Sequence, residues 1–125
     1  MKRLVYISIL SGLLFGITSF NYTSYKDIGI KTIVIDAGHG GHDSGCLGKN
    51  SQEKHIALKV ALSLGSKISK RYPDLKIIYT RKTDVFVPLH KRANIANKHA
   101  ADLFISIHCN ATSTSSVFGT ETFVM

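Results

Sequence analysis

At 125 residues the chain has room for at most one domain. Sixteen Lys and Arg against eight Asp and Glu give a formal charge of +8 at pH 7. That balance favours anionic surroundings such as cell-wall polymers or acidic peptides. The basic residues are spread along the chain instead of clustering with aromatics, which argues against a nucleic-acid groove.

The chain opens on Met1, Lys2 and Arg3. An apolar run from Leu4 to Ile17 follows, broken only by Ser8, Ser11, Gly12 and Gly16, and a more polar stretch then runs to Asp27. A basic start, a short apolar run and a polar exit are the pattern of a secretory signal peptide. The run is shorter than the roughly 20 residues that cross a bilayer. Residues 1–24 are therefore expected to be a leader with a short linker, and residues 30–125 the folded part. Export to the periplasm or the outside follows, with no membrane span once the leader is cleaved. An oxidising compartment permits a disulfide between Cys46 and Cys109.

Past the leader, strand and helix patterns alternate. Lys31 to Ala37 holds the β-branched run Ile33, Val34, Ile35 and reads as a buried strand that ends in glycines. Residues 38–51 form a glycine-rich loop. From Gln52 to Arg71, Ile56, Val60, Leu64 and Ile68 recur every four positions with Ala57 and Ala61 beside them, which predicts a helix with one buried face. Ser51 is placed to cap it and Pro73 to end it.

Leu75 to Thr80 is the second predicted strand. Pro88 suits the first position of a second helix reaching about His99, with Leu89, Ala93 and Ala96 inward. Asp102 opens a third strand, Leu103 to His108. A polar turn at 111–116 precedes a fourth, Phe118 to Val124. This alternation predicts an α/β fold: a largely parallel or mixed twisted sheet with flanking helices, joined by right-handed crossovers.

In such sheets, sites form beyond the carboxyl ends of strands. His39 and His108 both fall there, and Glu53, one of only two glutamates, begins the first helix. Two imidazoles and a carboxylate from three separate elements suit a catalytic zinc ion that keeps a fourth position open. Glycines 38, 40 and 41 would leave room for metal and substrate near the backbone. Asp36 points to the same rim and is a candidate to orient a ligand imidazole. His42 and Asp43 read as loop polarity; His55, His90 and His99 read as surface residues. Cys109 alternates with His108 along the strand and is a poor ligand candidate.

Other glycine-loop motifs fail on their residues. Asp43 stands where both a dinucleotide fingerprint and a phosphate loop need glycine, and Asn50 stands where the latter needs Ser or Thr. No His-Glu-x-x-His pattern is present.

The segments Ile35-Asp36-Ala37-Gly38-His39-Gly40-Gly41, Glu53, Thr80-Arg81-x-x-Asp84, Leu89-x-x-Arg92-Ala93-Asn94 and Ser106-Ile107-His108-x-Asn110-Ala111 occur in this order. Together with Gly119-x-Glu121-x-Phe123, they resemble the zinc-dependent N-acetylmuramoyl-L-alanine amidases from about residue 32 to residue 125. The resemblance implies one Zn2+ held by His39, Glu53 and His108, with Asp36, Arg81, Asp84, Arg92 and Asn110 as supporting or substrate-side residues. It also implies peptidoglycan or muropeptides as substrate, cut at the amide between N-acetylmuramic acid and L-alanine.

The family's general base is a glutamate near the end of its domain. Glu121, the only carboxylate after His108, matches a strand pattern instead. The chain is accordingly expected to be the front part of an incomplete single domain, inactive alone. The alternative is a non-catalytic, zinc-containing cell-wall binding module. Whether an activator protein takes part is left open by the sequence.

Overall fold

The computed structural model describes residues 29–112, 114 and 116–124. The predicted leader therefore lies outside the described residues. Five elements follow in order: β1 (Thr32–Ala37), α1 (Glu53–Arg71), β2 (Lys76–Tyr79), α2 (Leu89–Lys98) and β3 (Leu103–Ile107). The three strands form one parallel sheet in the order β2-β1-β3.

That order has a consequence for the site. The first crossover leaves β1 toward one side of the sheet, and the second carries the chain back past β1 to its other side. With both crossovers of the usual hand, the two helices fall on opposite faces. The crevice between the carboxyl ends of β1 and β3 is then a topological switch point, where open parallel sheets bind ligands.

The alternation along β1 divides the core. Ile33, Ile35 and Ala37 pack with Ala61, flanked by Leu58, Leu64 and Ile68 of α1 and by Ile105 and Ile107 of β3. The intervening Val34 and Asp36 are also buried. Asp36 meets α2, where Arg92 donates to it over 2.7 Å. A strand buried on both faces explains why its sequence is nearly continuous in β-branched residues.

The expected buried face of α1 holds at Ala57, Ala61, Leu64 and Ile68 and fails at Ile56 and Val60, whereas that of α2 differs. The buried residues of α1 are Glu53, Ala57, Ala61 and Gly65, whereas Ile56 and Val60 are 41% and 45% exposed. Small side chains let this helix approach closely. A Cβ on Gly65 would collide with the Tyr79 ring, so the bulky residues are left on the flank. In α2 the one buried residue is Arg92; Leu89 is 83% exposed, Ala93 is exposed and Ala96 only half-buried.

Ser51 does not cap α1. Gln52 occupies that position without a side-chain bond, and the loop carbonyls of Cys46 and Ser44 accept the N–H groups of Glu53 and Lys54 at 3.0 and 3.2 Å. The fourth predicted strand is absent as well. Among the described residues, 118–124 lie in no strand, and Gly119 takes φ 146°.

Among the described residues no helix is long and apolar enough to cross a membrane.

Candidate metal centre

The chain leaves β1 through a peptide run whose carbonyls are all taken by two arginines. Arg81 donates to Ala37 O (2.9 Å), Gly38 O (2.7 Å), Lys54 O and Thr83 O. Arg92 donates to Ala37 O (2.7 Å), His39 O (2.8 Å) and Val87 O. Both guanidiniums are buried. Burial, followed by the charge of Arg92, lowers the pKa of Arg81, with Asp84 and Asp36 opposing.

This clamp holds His39 at φ 57°, a left-handed conformation that costs a non-glycine residue about 1–3 kcal/mol. It turns the ring back over the end of the sheet. Arg81 and Arg92 thus shape the loop from behind; their hydrogen bonds go to protein groups on that side and none goes to the candidate ligand atoms.

Three donor atoms converge beyond the strand ends. His39 Nε2 lies 3.0 Å from Glu53 Oε1, His108 Nδ1 lies 3.1 Å from that same oxygen, and the two imidazole nitrogens are 3.2 Å apart. The group of His39, Glu53 and His108 has the composition and closeness to hold a metal ion.

Asp43 fixes the proton on His39. An ionised carboxylate only accepts, so Nδ1 donates to Asp43 Oδ2 over 2.9 Å. The hydrogen bond from His39, and then the amide of Gly45, lower the pKa of Asp43 and keep it ionised. With Nδ1 so engaged, Nε2 is the ring nitrogen that faces Glu53. Electron-rich atoms so close together require a proton or a cation between them.

Glu53 is prepared for a cation in the same way. Cys46 N–H donates to its Oε2 at 2.9 Å and Cys109 N–H to its Oε1 at 2.7 Å. Burial raises its pKa, but these two amides, with the Cys46 thiol and His39, outweigh that and bring it down to about 2. The sign follows directly. A carboxyl ionising more readily in the fold than in the unfolded chain, where it titrates near 4.5, stabilises the fold fully above that value. The contribution fades as pH falls from about 4.5 toward 2. Denaturation of the metal-free protein across this range should show Glu53→Gln lacking that part of the acid dependence.

The glycines make room for protein, not for ligand. A Cβ on Gly38 would lie 2.6 Å from His108 Nε2. A Cβ on Gly45, which holds φ +63°, would lie 2.6 Å from the His39 ring and 2.7 Å from Glu53 Oε2. Gly40 and Gly41 face the backbone at Val85 and Phe86.

The remaining sequence candidates divide. Asp36 accepts from Thr80 Oγ1 (2.6 Å), Arg92 and Ser106 Oγ (2.7 Å), which ties the sheet together, and it meets neither imidazole. The carboxylate that meets an imidazole is Asp43, four residues after His39, which reads in the sequence as loop polarity. Asp84 accepts from Gly41 N–H and Lys54 Nζ, and Lys54 in turn donates to Gly41 O, which closes the glycine loop. The Lys54 contact, then the Gly41 amide, lower the pKa of Asp84. Asn110 does reach the cleft. It lines it beside His39, Glu53 and His108, and its Nδ2 donates to Glu121 at 3.0 Å. His42 packs on Phe86, outside the cleft.

The family model for N-acetylmuramoyl-L-alanine amidase matches residues 33–125. The chain is 40% identical over 101 residues to N-acetylmuramoyl-L-alanine amidase AmiA of Escherichia coli, covering 80% of this chain and 34% of that protein. It is 42% identical over 79 residues to the sporulation-specific amidase of Bacillus subtilis, covering 63% of this chain and 31% of the relative.

Among solved structures, the catalytic domain of CwlV from Bacillus (Paenibacillus) polymyxa superposes with a TM-score of 0.66 at 40% identity, over 70% of this chain and 50% of that one. The CwlD amidase of Clostridioides difficile, solved in complex with the GerS lipoprotein, gives 0.65 at 34% identity, over 70% and 52%. The chain spans about a third of the length of the AmiA relative and half of the CwlV catalytic domain. With a family match running from β1 through the last residue, the chain belongs to the N-acetylmuramoyl-L-alanine amidase family.

Proposed function

We propose that His39 Nε2, Glu53 Oε1 and His108 Nδ1 hold one zinc ion. We further propose that the protein this chain represents hydrolyses the amide between N-acetylmuramic acid and the L-alanine of the peptidoglycan stem. The observation that carries the reading is the triangle of donors, with edges of 3.0, 3.1 and 3.2 Å. A tetrahedral zinc ion bound at about 2.0–2.1 Å spaces its ligand atoms about 3.3 Å apart. The side chains therefore stand close to a three-ligand face, with the fourth direction opening on the cleft.

When bound, zinc polarises a carbonyl and lowers the pKa of water to about 7. The chain's residues hold the ligands in place: Asp43 sets the His39 tautomer, the Cys46 and Cys109 amides aim Glu53, and Arg81 and Arg92 immobilise the loop. Removing an outer partner of a metal-bound histidine typically costs 10–100-fold in affinity. Asp43→Ala is expected to weaken zinc binding by that factor, measured by competition with a chromophoric chelator.

The reaction also needs a group to take a proton and return it to the leaving amine. Glu53 is committed to the metal and Asp43 to His39. Glu121 stands in an exposed segment against Asn110. We propose that none of them serves, and that the 125-residue chain turns over poorly by itself. A general base contributes roughly 10²–10⁴ in rate.

The test is release of stem peptide with a free L-alanine terminus from purified muropeptides, followed by mass spectrometry. Zinc-dependent release is expected from a fusion supplying the remainder of a relative's domain, and roughly 10²–10⁴ less from this chain. Equal rates would overturn the missing-base reading. Binding without release by the fusion would make the protein a cell-wall binding module. Export through the apolar run Leu4–Ile17 belongs to the same proposal, since the substrate lies outside the cytoplasmic membrane.

A further inference from the structure

Cys46 and Cys109 stand on the two sides of Glu53. Each donates its backbone N–H to a different oxygen of that one carboxylate, at 2.9 and 2.7 Å. Both line the cleft that His39 and His108 open on, and both are free thiols, Cys46 exposed and Cys109 half-buried. Two amides bound to one carboxylate can be no farther apart than its width plus two hydrogen bonds. That bounds the two amide nitrogens to roughly 8 Å apart, whereas a disulfide closes at about 4.4–6.8 Å between Cα atoms, so part of the gap is left for the loop to close. The segment from Cys46 to Ser51 is exposed throughout, and the remaining adjustment works against two backbone bonds, Glu53 N–H to Cys46 O (3.0 Å) and Gly48 N–H to Ser51 O (2.9 Å).

We propose that Cys46 and Cys109 form an intramolecular disulfide across the mouth of the His39–Glu53–His108 cleft, which shuts Glu53 off from incoming metal ions. The second half rests on the metal reading above; the first does not.

The chemistry is thiol–disulfide exchange with a small-molecule disulfide. One cysteine loses its proton and its thiolate attacks a sulfur of the oxidant, breaking that S–S bond and releasing one thiolate. The other cysteine, also deprotonated, attacks the resulting mixed disulfide. The Cys46–Cys109 bond forms and the second thiol leaves. The protein loses two protons and two electrons, and the oxidant becomes two thiols.

The experiment incubates the 125-residue chain with glutathione disulfide and reads intact mass, then peptides digested without reduction. The expected product is a monomer lighter by two hydrogens, with a peptide pair joined through Cys46 and Cys109. Zinc uptake by this oxidised form, followed with a chromophoric chelator, is expected to be at least tenfold slower than by the reduced form and to recover on reduction. Cys46→Ser should take up zinc at one rate with and without oxidant.

Separate glutathione adducts on the two cysteines, or a bond between two chains, would overturn the disulfide. Unchanged uptake by the cross-linked protein, or oxidant-sensitive uptake by Cys46→Ser, would overturn the gating. The cross-link is read by mass whether or not zinc binds, so failure of the metal reading leaves the disulfide independently decided.

Discussion

Asp36→Ala is expected to destabilise the fold by about 3–5 kcal/mol, the cost of breaking a buried ion pair from one side. Asp36 and Arg92 are both buried and meet at 2.7 Å. Asp36 also accepts from Thr80 at the end of β2 and from Ser106 on β3. One carboxylate thus joins all three strands to α2. Its removal leaves a guanidinium charge inside the protein and two hydroxyls without their acceptor. Small domains are typically stable by only 5–15 kcal/mol, so a loss of this size is a large fraction of the whole. Urea denaturation followed by circular dichroism gives the value; a loss below about 1 kcal/mol would show that the network does not carry the fold. Arg92→Ala should cost a similar amount, and the double variant less than the sum, because the two changes remove one interaction.

His39→Ala and His108→Ala are each expected to abolish stoichiometric zinc while leaving the circular dichroism spectrum close to that of the parent. Neither ring belongs to the apolar core around Ile33, Ile35, Ala37 and Ala61. Each supplies one corner of a three-atom site, so two ligands remain where a protein zinc site needs at least three. Metal analysis after dialysis measures the effect, and unchanged zinc in either variant would refute the assignment. Glu53→Ala should lose zinc too, but with a stability cost that the histidine variants lack. Its two oxygens receive the amides of Cys46 and Cys109 in part-buried hydrogen bonds, and losing such bonds costs about 0.5–1.5 kcal/mol each.

The buried faces of the helices show where a hydrophobicity pattern misleads. In α2, Leu89 and Ala93 were expected inward, yet Arg92 is the buried residue. A pattern of apolar spacing has no means to register an arginine whose N–H groups are met by the carbonyls of Val87, Ala37 and His39 and by Asp36. In α1, Ala57 and Ala61 are buried as expected and Leu64 and Ile68 pack on the core, but Ile56 and Val60 are exposed and Gly65 is buried in their place. Small residues pack by allowing approach, a property that depends on the Tyr79 ring opposite and not on their own apolarity.

The sequence by itself determined the alternation of strands and helices, the position of His39 and His108 at two strand ends, and Glu53 at a helix start. Those features rest on local periodicity and on residue types confined to single segments. Tertiary structure alone decided the strand order β2-β1-β3, and with it that both histidines flank one crevice. It also decided that three donor atoms close to within 3.0–3.2 Å. The same holds for the exchange of roles between Asp36, which binds the sheet, and Asp43, which orients His39. Asp36 meets Thr80 and Ser106, 44 and 70 positions away, and neither partner's local sequence carries a record of the other; Asp43 is only four residues from His39, but the turn that brings its carboxylate onto the ring is set by the folded loop.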